Sequence, residues 1–305
     1  MIVVAGVTNV EISLPVDGFP VDYTPVRYPR WDVGVRVAGV GYGVAAALGA
    51  LGSPVRFATL VAPDPLGAAV TAALTERGLA GPGVLPTAET SRSVVLHDPT
   101  GRRMVSTDLK DLPEATYPPE TFAALLDGAD LAVVTNIGFA RPLLRVAADA
   151  GVPVAADVQA IDSLDDPYNS VWMAAASALF CSHERLPCPP EEWVCRVWDR
   201  YGTGLVVVGC GPAGAVLGVR AGETVRRVPA VAPRGVRNTV GAGDALAAAF
   251  LHVWVRTGDP HLAVERAVLF AGYRVGAVTG EDGWLTDADL VALAASAPSR
   301  SPSVR

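Results

Sequence analysis

The chain has 305 residues, of which 50% are hydrophobic and 18% are charged, and its formal net charge is −7. This composition excludes global disorder, and the length allows one large α/β domain or two small ones. A nucleic-acid-binding surface needs a basic stripe, so we expect no nucleic-acid partner for this acidic chain. Lys110 is the only lysine, which argues against a Walker-type phosphate loop because that loop requires a lysine.

Three features of the sequence bear on the compartment. The N-terminus lacks the basic region and layout of a signal peptide. Residues 37–55 carry no charge, but their five glycines would make a poor isolated membrane helix. Cys181, Cys188 and Cys195 lack the close pairing of a zinc site, which favours reduced thiols. We therefore predict a cytoplasmic protein without a membrane segment.

Short apolar runs, rich in β-branched residues, alternate along the chain with longer stretches typical of helices. Such runs suit the central strands of a parallel sheet that helices cover on both faces. Asp64 and Pro65 supply a cap and a first-turn proline for a helix over Leu66–Arg77, which Gly78 ends. The predicted strands are Ile2–Ala5, Val55–Leu60, Leu131–Thr135, Pro153–Ala156, Ala178–Cys181 and Leu205–Val208. This alternation predicts a doubly wound α/β domain with a mainly parallel sheet.

Two segments depart from this alternation. Residues 12–36 contain four prolines and several aromatic residues with alternating polarity. Residues 84–108 have the pattern of a hairpin around a turn at residues 98–101. We expect both segments to form β-structure added beside the main sheet. Residues 296–305 are rich in Ser, Pro and Arg, which predicts a disordered tail after a single domain over residues 1–295.

The strongest chemical feature is the run Asn238–Asp244, which opens into a helix-like stretch. Its Gly-Ala-Gly turn lets the backbone approach a ligand closely. Free N–H groups converge where a turn opens into a helix, and this suits the charge on a transferring phosphoryl group. Asp244 lies in the first turn and can accept the proton of an attacking hydroxyl. A plain helix N-terminus with packing glycines is the alternative interpretation of the spacing.

This run resembles the Asp-Thr-x-Gly-Ala-Gly-Asp signature of the ribokinase/PfkB family of carbohydrate and nucleoside kinases, with Asn238 in the leading position. Residues 64–67 match the family's Asp-x-x-Gly, and the two irregular segments fall where the family has a β-lid. The resemblance, which extends over nearly the whole chain, implies a ribokinase-like three-layer α/β/α domain that transfers the ATP γ-phosphate to an alcohol. It makes Asp244 the catalytic base. The implied anion hole consists of the N–H groups of Gly241, Ala242 and Gly243.

The resemblance is weaker at the substrate end. Asn9 and Glu11 match the family's Asn-x-Asp motif with Glu in place of Asp, and Gly43 stands where the family has a substrate-binding Asn. The missing side chain at Gly43 predicts free space for an acceptor bulkier than ribose. Solvated turns and helix-packing glycines are the alternatives for this region. The predicted substrate-binding residues are Asn9, Glu11, Gly39, Gly43, Asn136 and Asp157.

The nucleotide end also departs from the family pattern. The family's Asn-x-x-Glu motif, which is linked to magnesium and phosphate, falls at residues 183–186, where Glu184 is the nearest substitute. The family's Thr-x-Gly appears as Gly209-Cys210-Gly211, and a helix Asn near the adenine appears as Gly272. The predicted nucleotide-binding residues are His183, Gly209, Gly211, Thr239 and Gly272, and the predicted metal contacts are Asn238 and Glu184.

The resemblance implies ATP and Mg²⁺ as cofactors, because phosphoryl transfer needs its charge neutralised. It also implies a monovalent cation such as K⁺ bordered by Asn238 and Val240, and a homodimer formed through the lid. Three alternatives stay open: a nucleoside acceptor, a phosphosugar held by Arg92 or Arg141, and a catalytically weakened binding or regulatory protein. Surface salt bridges are the favoured interpretation of the two arginines.

Overall fold

Thirteen strands lie in the described part of the computed structural model, which covers residues 1–277 and 283–296. They are β1 (Ile2–Ala5), β2 (Asn9–Pro15), β3 (Gly34–Ala38), β4 (Val55–Val61), β5 (Val84–Pro86), β6 (Arg92–His97), β7 (Arg103–Asp108), β8 (Leu131–Val134), β9 (Val154–Ala160), β10 (Ala178–Ser182), β11 (Leu205–Gly209), β12 (Ala215–Val219) and β13 (Thr224–Val228). Nine of them form one sheet in the order β13-β12-β11-β10-β9-β8-β1-β4-β5. In this order, neighbouring strands from β11 through β10, β9, β8, β1 and β4 to β5 are parallel. β12 and β13 add an antiparallel edge beside β11. The mainly parallel sheet expected from the sequence is confirmed.

All six predicted strands are present in this sheet. β1 has the predicted bounds, whereas β9 continues to Ala160, beyond its predicted end at Ala156. The prediction lacks β12 and β13. β13 places Arg226 and Arg227 side by side between valines and is largely solvent-accessible, a composition that is equally typical of a surface loop.

Nine α-helices of the described residues cover the large sheet on both faces. They are α1 (Val40–Ala50), α2 (Pro65–Glu76), α3 (Pro119–Leu125), α4 (Leu143–Asp149), α5 (Ser170–Ala175), α6 (Pro190–Tyr201), α7 (Ala242–Thr257), α8 (Pro260–Arg274) and α9 (Asp287–Ser296). One apolar core joins the sheet to α1, α2, α7, α8 and α9. A second core on the opposite face packs α3 to α6 around buried Tyr117, Trp172 and Trp193. These layers form the ribokinase-like α/β/α architecture that the resemblance implied.

Four strands form a smaller sheet in the order β3-β2-β6-β7, which serves as the lid. The hairpin of β6 and β7 is as predicted, and Asp98 closes its turn by accepting the N–H groups of Thr100 and Arg102 at 2.9 and 3.1 Å. The structure differs from the expectation at two places. Residues 84–86 form β5 of the large sheet, and residues 16–33 contain no strand. The prolines of this second stretch explain its lack of a strand, because proline removes a donor from the ladder.

Asp64 connects the large sheet, α2 and the lid. Its Oδ1 accepts the N–H of Gly67 at 2.7 Å as the cap of α2, and also the hydroxyl of Thr90 at 2.7 Å. Its Oδ2 accepts the N–H of Thr90 at 2.8 Å. These bonds, with the N–H of Thr90 first, lower the pKa of Asp64 to about 2. One carboxylate thus fixes the chain just before it enters β6.

Two sequence expectations concern the uncharged stretch 37–55 and the C-terminal tail. Within the described ranges, no helix is both long enough and apolar enough to cross a membrane. The helix inside the uncharged stretch is α1, which has only 11 residues. Ser296 ends α9, and the rest of the predicted disordered tail lies outside the described residues.

Candidate active site

A cavity of about 920 Å³ opens at the carboxyl ends of the parallel strands, between the large sheet and the lid. Such a position is typical of ligand sites in open α/β sheets. The predicted substrate residues that line it are Asn9, Glu11, Gly39, Gly43, Asn136 and Asp157. The other predicted residues that line it are His183, Glu184, Gly209, Gly211, Thr239, Gly241, Ala242, Gly243, Asp244 and Gly272. Asn238 is the predicted residue that does not line the cavity.

The signature turn delivers Asp244 to the cavity. Gly241 has the left-handed φ of 78° that favours glycine, and α7 begins at the next residue. Asn238 Oδ1 accepts the N–H of Val240 at 2.9 Å, which braces the turn. The N–H of Ala242 donates to Thr239 O at 3.3 Å. That bond is long, so Ala242 can still donate to a ligand together with the other N–H groups at the start of α7.

The carboxyl of Asp244 lies in an acidic, poorly solvated environment. Its pKa is raised to about 8, first by desolvation and then by the charge of Asp157, with a smaller contribution from Glu11. The charges of Arg274 and Arg36 lower the pKa of Asp244. Desolvation also raises the pKa of Asp157 to about 6. Burial and the charge of Asp157 therefore increase the affinity of the Asp244 carboxylate for a proton, a property that suits a proton acceptor.

Gly43 packs directly against the carboxyl of Asp244. A Cβ placed on Gly43 would lie 2.4 Å from Asp244 Oδ2, so a side chain at this position would displace Asp244. The space that the sequence suggested for a bulkier acceptor is filled by Asp244, and that expectation is corrected. Gly39 has a φ of 105°, and a Cβ there would lie 2.5 Å from Val7 O. The backbone alone therefore explains why glycine stands at residue 39.

Asn9 and Glu11 present their polar groups to the cavity from β2. Asn9 is 5% exposed; its Nδ2 approaches Ser93 Oγ at 3.4 Å, and its Oδ1 has no hydrogen-bond partner among the described residues. Glu11 Oε1 accepts Arg36 Nε at 2.8 Å and lies 2.6 Å from Arg36 Nη2. Asn9 is therefore an unsatisfied acceptor that faces the cavity, while Glu11 already has a cationic partner.

Asn136 and Asp157 belong to a polar network on the opposite wall. Asn136 Nδ2 donates to Asn169 Oδ1 at 2.9 Å, and Gln159 Nε2 donates to Asn136 Oδ1 at 3.1 Å. The N–H of Gln159 donates to Asp157 Oδ1 at 2.8 Å. Gln159 has a positive φ of 57°, so the chain bends locally at this wall. Asp157 lies within β9 rather than at its end.

The predicted nucleotide residues meet at the other end of the cavity. His183 Nδ1 lies 3.1 Å from Gly209 O, and a Cβ on Gly211 would lie 3.6 Å from His183 Cε1. Gly272 packs so tightly that a Cβ there would lie 1.8 Å from Val231 O. The backbone at Val231 thus occupies the place where the family has a helix Asn.

Four arginines that line the cavity were not predicted as site residues: Arg36, Arg77, Arg103 and Arg274. Arg103 extends from lid strand β7 to the large domain, where Nη1 donates to Thr239 Oγ1 at 3.3 Å and Nη2 lies 3.6 Å from Glu184 Oε1.

The sequence indicates some of these arginines as site residues more clearly than others. Arg274 follows the apolar run 267–272 of α8, which was a visible signal, whereas Arg36 and Arg103 lie in ordinary strand patterns. The two arginines considered from the sequence do not line the cavity, and Arg92 pairs with Glu89.

Comparisons with known proteins agree with this fold and site. The profile described as pfkB family carbohydrate kinase matches residues 194–285. An acarbose 7(IV)-phosphotransferase from Actinoplanes sp. is 31% identical over 80% of this chain and 79% of its own length. An ATP-dependent ribose-1-phosphate kinase from Halopiger xanaduensis is 29% identical over 92% of each chain. The solved structure of a microbiome-derived acarbose kinase matches with a TM-score of 0.83 and 26% identity, over 96% of this chain and 98% of that one.

The chain belongs to the PfkB family of carbohydrate kinases, which have the ribokinase-like fold. It is a phosphotransferase with an alcohol group as acceptor, in line with the kinases to which it is similar. The resemblance inferred from residues 238–244 is therefore confirmed.

Proposed function

We propose that the protein transfers the γ-phosphate of ATP to a hydroxyl of a neutral sugar or sugar-like molecule. The observation that carries this proposal is the position of Asp244, in the first turn of α7 and inside the cavity beneath the lid. A carboxylate at the start of a helix brings a proton acceptor and several N–H donors to one point. This is the combination that in-line phosphoryl transfer requires.

The reaction balances at the atoms that this site provides. The acceptor oxygen forms a bond to the γ-phosphorus, the bond from that phosphorus to the β–γ bridging oxygen breaks, and ADP leaves. The acceptor proton passes to an Oδ of Asp244. The N–H groups of Gly241, Ala242 and Gly243 stabilise negative charge on the transferring group. His183, Gly209, Gly211 and Gly272 border the space proposed for the nucleotide, next to Thr239.

Mg²⁺ supplies charge neutralisation when it is bound with ATP. Glu184 suits this role because its carboxylate oxygen is a ligand type that Mg²⁺ prefers, and it lines the proposed nucleotide end. Asn238 suits it less, because its Oδ1 accepts the N–H of Val240 and it lies outside the cavity wall. Oxygens of the ATP phosphates would complete the ligand set.

The charges at the acceptor end support a neutral acceptor. The charge of Arg36 is matched by Glu11, and the carboxyls of Asp157 and Asp244 line the same cavity. Sugar hydroxyl groups can donate to such carboxylates, whereas a phosphate dianion has no proton to donate. The unsatisfied Oδ1 of buried Asn9 also requires a donor, and a sugar hydroxyl supplies one.

A phosphosugar acceptor is the second candidate. Arg77 lines the cavity and donates to the hydroxyl of Tyr42 at 2.7 Å, so a guanidinium is available beside α1. The similarity to a ribose-1-phosphate kinase points in the same direction. A nucleoside kinase of the same fold differs only in the acceptor. A catalytically weakened binding or regulatory protein accounts for the missing Asn-x-x-Glu and Thr-x-Gly features. Transfer from ATP across a panel of neutral sugars, oligosaccharides, phosphosugars and nucleosides distinguishes these functions, and transfer to phosphosugars alone would contradict our proposal.

The lid also supports the expected homodimer. Ile12, Val94 and Met104 lie on one face of the small sheet, opposite Glu11 and Ser93, and all three are exposed. Burial of this apolar face against a second lid would remove it from water. Analytical ultracentrifugation of the wild type and of Val94→Glu tests this: we expect a dimer that the substitution dissociates. A wild-type monomer at assay concentrations contradicts it.

A further inference from the structure

Gln159 lies at the mouth of the cavity, on the strand that also carries Asp157. Asp157 is 9% exposed, whereas Gln159 is exposed and lines the same cavity. The end of β9 therefore runs from the buried floor of the site to its rim. A sugar ring whose hydroxyl reaches Asp244 lies at the floor, so a group joined to the outer side of that ring extends towards Gln159.

A β-bulge directs the side chain of Gln159. Between two regular pairs with β10, β9 has two residues, Val158 and Gln159, where β10 has only Cys181. Val158 is buried in the core, and Gln159 has the left-handed φ of 57° that few residues other than glycine adopt. Bulges and left-handed residues other than glycine are concentrated beside active sites, where they aim a side chain. The local backbone thus indicates a role for this side chain at the cavity.

A chain of hydrogen bonds holds the amide of Gln159 in place. Its Nε2 donates to Asn136 Oδ1 at 3.1 Å, and Asn136 Nδ2 donates to Asn169 Oδ1 at 2.9 Å. The N–H of Asn169 donates to Asp166 Oδ1 at 2.6 Å, and the hydroxyl of Tyr168 donates to Asn136 O at 3.1 Å. The chain of amides ends at Gln159, whose Oε1 accepts no hydrogen bond from any described residue. A fixed amide therefore presents an acceptor and a second N–H donor at the cavity mouth.

The chemistry of this wall suits a sugar ring better than a nucleobase. Each sugar hydroxyl can both donate and accept, so two neighbouring hydroxyls match the acceptor and the donor of one amide. A nucleobase is typically held by stacking on an aromatic ring. The described residues of this wall that line the cavity include no aromatic side chain; they are Asn136, Ile137, Gln159 and Ala160.

We propose that Gln159, held by Asn136, forms a subsite at the cavity mouth for the second sugar ring of an oligosaccharide acceptor. The inference rests on the proposed function, because the reacting ring must be a sugar whose hydroxyl reaches Asp244. It goes further by naming the acceptor as a sugar of two or more rings. Gln159 is then a residue that determines specificity: it contacts the ring next to the reacting one and takes no part in the transfer itself.

The first test needs only the wild type and acceptors that differ by one ring. Glucose is compared with maltose and cellobiose, and galactose with lactose. Because the amide can form two hydrogen bonds, we expect kcat/KM to be about tenfold higher for at least one disaccharide than for its monosaccharide. Equal or lower values for every disaccharide, or adenosine as the best acceptor, overturn the subsite. Failure of the proposed function has a different signature, because the wild type then transfers phosphate to no neutral sugar.

The second test removes the amide and keeps the backbone. Glycine adopts a left-handed φ without strain, so Gln159→Gly should keep or raise the Tm. We expect it to lose about tenfold in kcat/KM for the preferred disaccharide, mostly through KM, and to stay within about twofold for the monosaccharide. The Kd of that disaccharide, measured by calorimetry, should rise by the same factor.

Two further variants make the comparison specific. Gln159→Asn keeps an amide in a residue that tolerates this φ, so it should lose less than Gln159→Gly. Glu223→Gly is the matched control, because Glu223 is exposed, has a φ of 51° and lies between β12 and β13, away from the cavity. An equal loss for both acceptors in Gln159→Gly, which a purely structural amide would give, overturns the proposal, and so does an unchanged kcat/KM for the disaccharide.

Discussion

Replacement of Asp244 by Asn tests the proposed base with little change of shape. Asn has nearly the size of Asp, so the close contact with Gly43 is retained. The proposed phosphate donors are backbone N–H groups, which the substitution leaves in place. Loss of a general base lowers kcat by roughly a hundredfold or more. We expect that loss with little change in the Kd for ATP.

The assay measures ADP formation coupled to phosphorylation of the acceptor, together with ATP binding by calorimetry. The exposed Asp199→Asn on α6 is the control and should behave as wild type. A second readout is stability. The pKa of Asp244 in the folded chain is raised from 3.8 to about 8, so the wild type loses stability as the pH rises through that window. Asp244→Asn should therefore have the higher Tm at pH 8. Near-wild-type kcat in this variant would refute the base assignment.

Four other outcomes follow from the site. Wild-type kcat/KM should rise with pH through an apparent pKa near 8, because the base must be deprotonated. Asp157→Asn should move that rise to lower pH, and an unchanged pH profile contradicts the effect of the Asp157 charge on Asp244. Gly43→Ala should lower kcat by about tenfold or more and leave the Kd for ATP unchanged, because the added methyl displaces the Asp244 carboxyl. A kcat equal to that of the wild type in this variant argues against the close contact between Gly43 and Asp244. Arg103→Ala should raise KM for the acceptor by up to about fivefold, a modest change because the exposed ion pair of Arg103 with Glu184 is weak. The variant should also leave the lid more open to protease, and unaltered lid cleavage under saturating ligands speaks against a lid contact. Ribose should be about tenfold to a hundredfold poorer in kcat/KM than the preferred acceptor, because Gly43 lacks the polar group of the family Asn and an unpaired hydroxyl is costly. Ribose as the best substrate would overturn this.

The fold was predictable where one local signal dominates. β1 and β8 are short apolar runs, and buried central strands require that composition. The lid hairpin was predictable because its turn contains Asp98, Pro99 and Gly101, whose chemistry favours a turn. β13 was not predictable, because its half-buried Arg226 and exposed Arg227 carry no burial signal.

Family motifs in the sequence located many of the residues that line the cavity, from Asn9 to Gly272. The signature run was the clearest of them, because it brings the proposed base and its N–H donors together within one turn at residues 241–244. Arg36, Arg103 and Arg274 come from separate elements, and only the folded chain brings them to the cavity. Gly43 shows the same limit. A missing side chain suggested free space, but folding brings Asp244, about two hundred residues away in the chain, into that space.

Direct detection of the phosphorylated product tests the central claim. The wild type is incubated with γ-labelled ATP, Mg²⁺ and a panel of neutral sugars and oligosaccharides, phosphosugars and nucleosides, and the label is followed by chromatography. We predict that label moves to a hydroxyl of a neutral sugar or oligosaccharide, and that Asp244→Asn abolishes the transfer. ATP binding without labelled product from any acceptor, or labelling that Asp244→Asn leaves intact, would contradict the account.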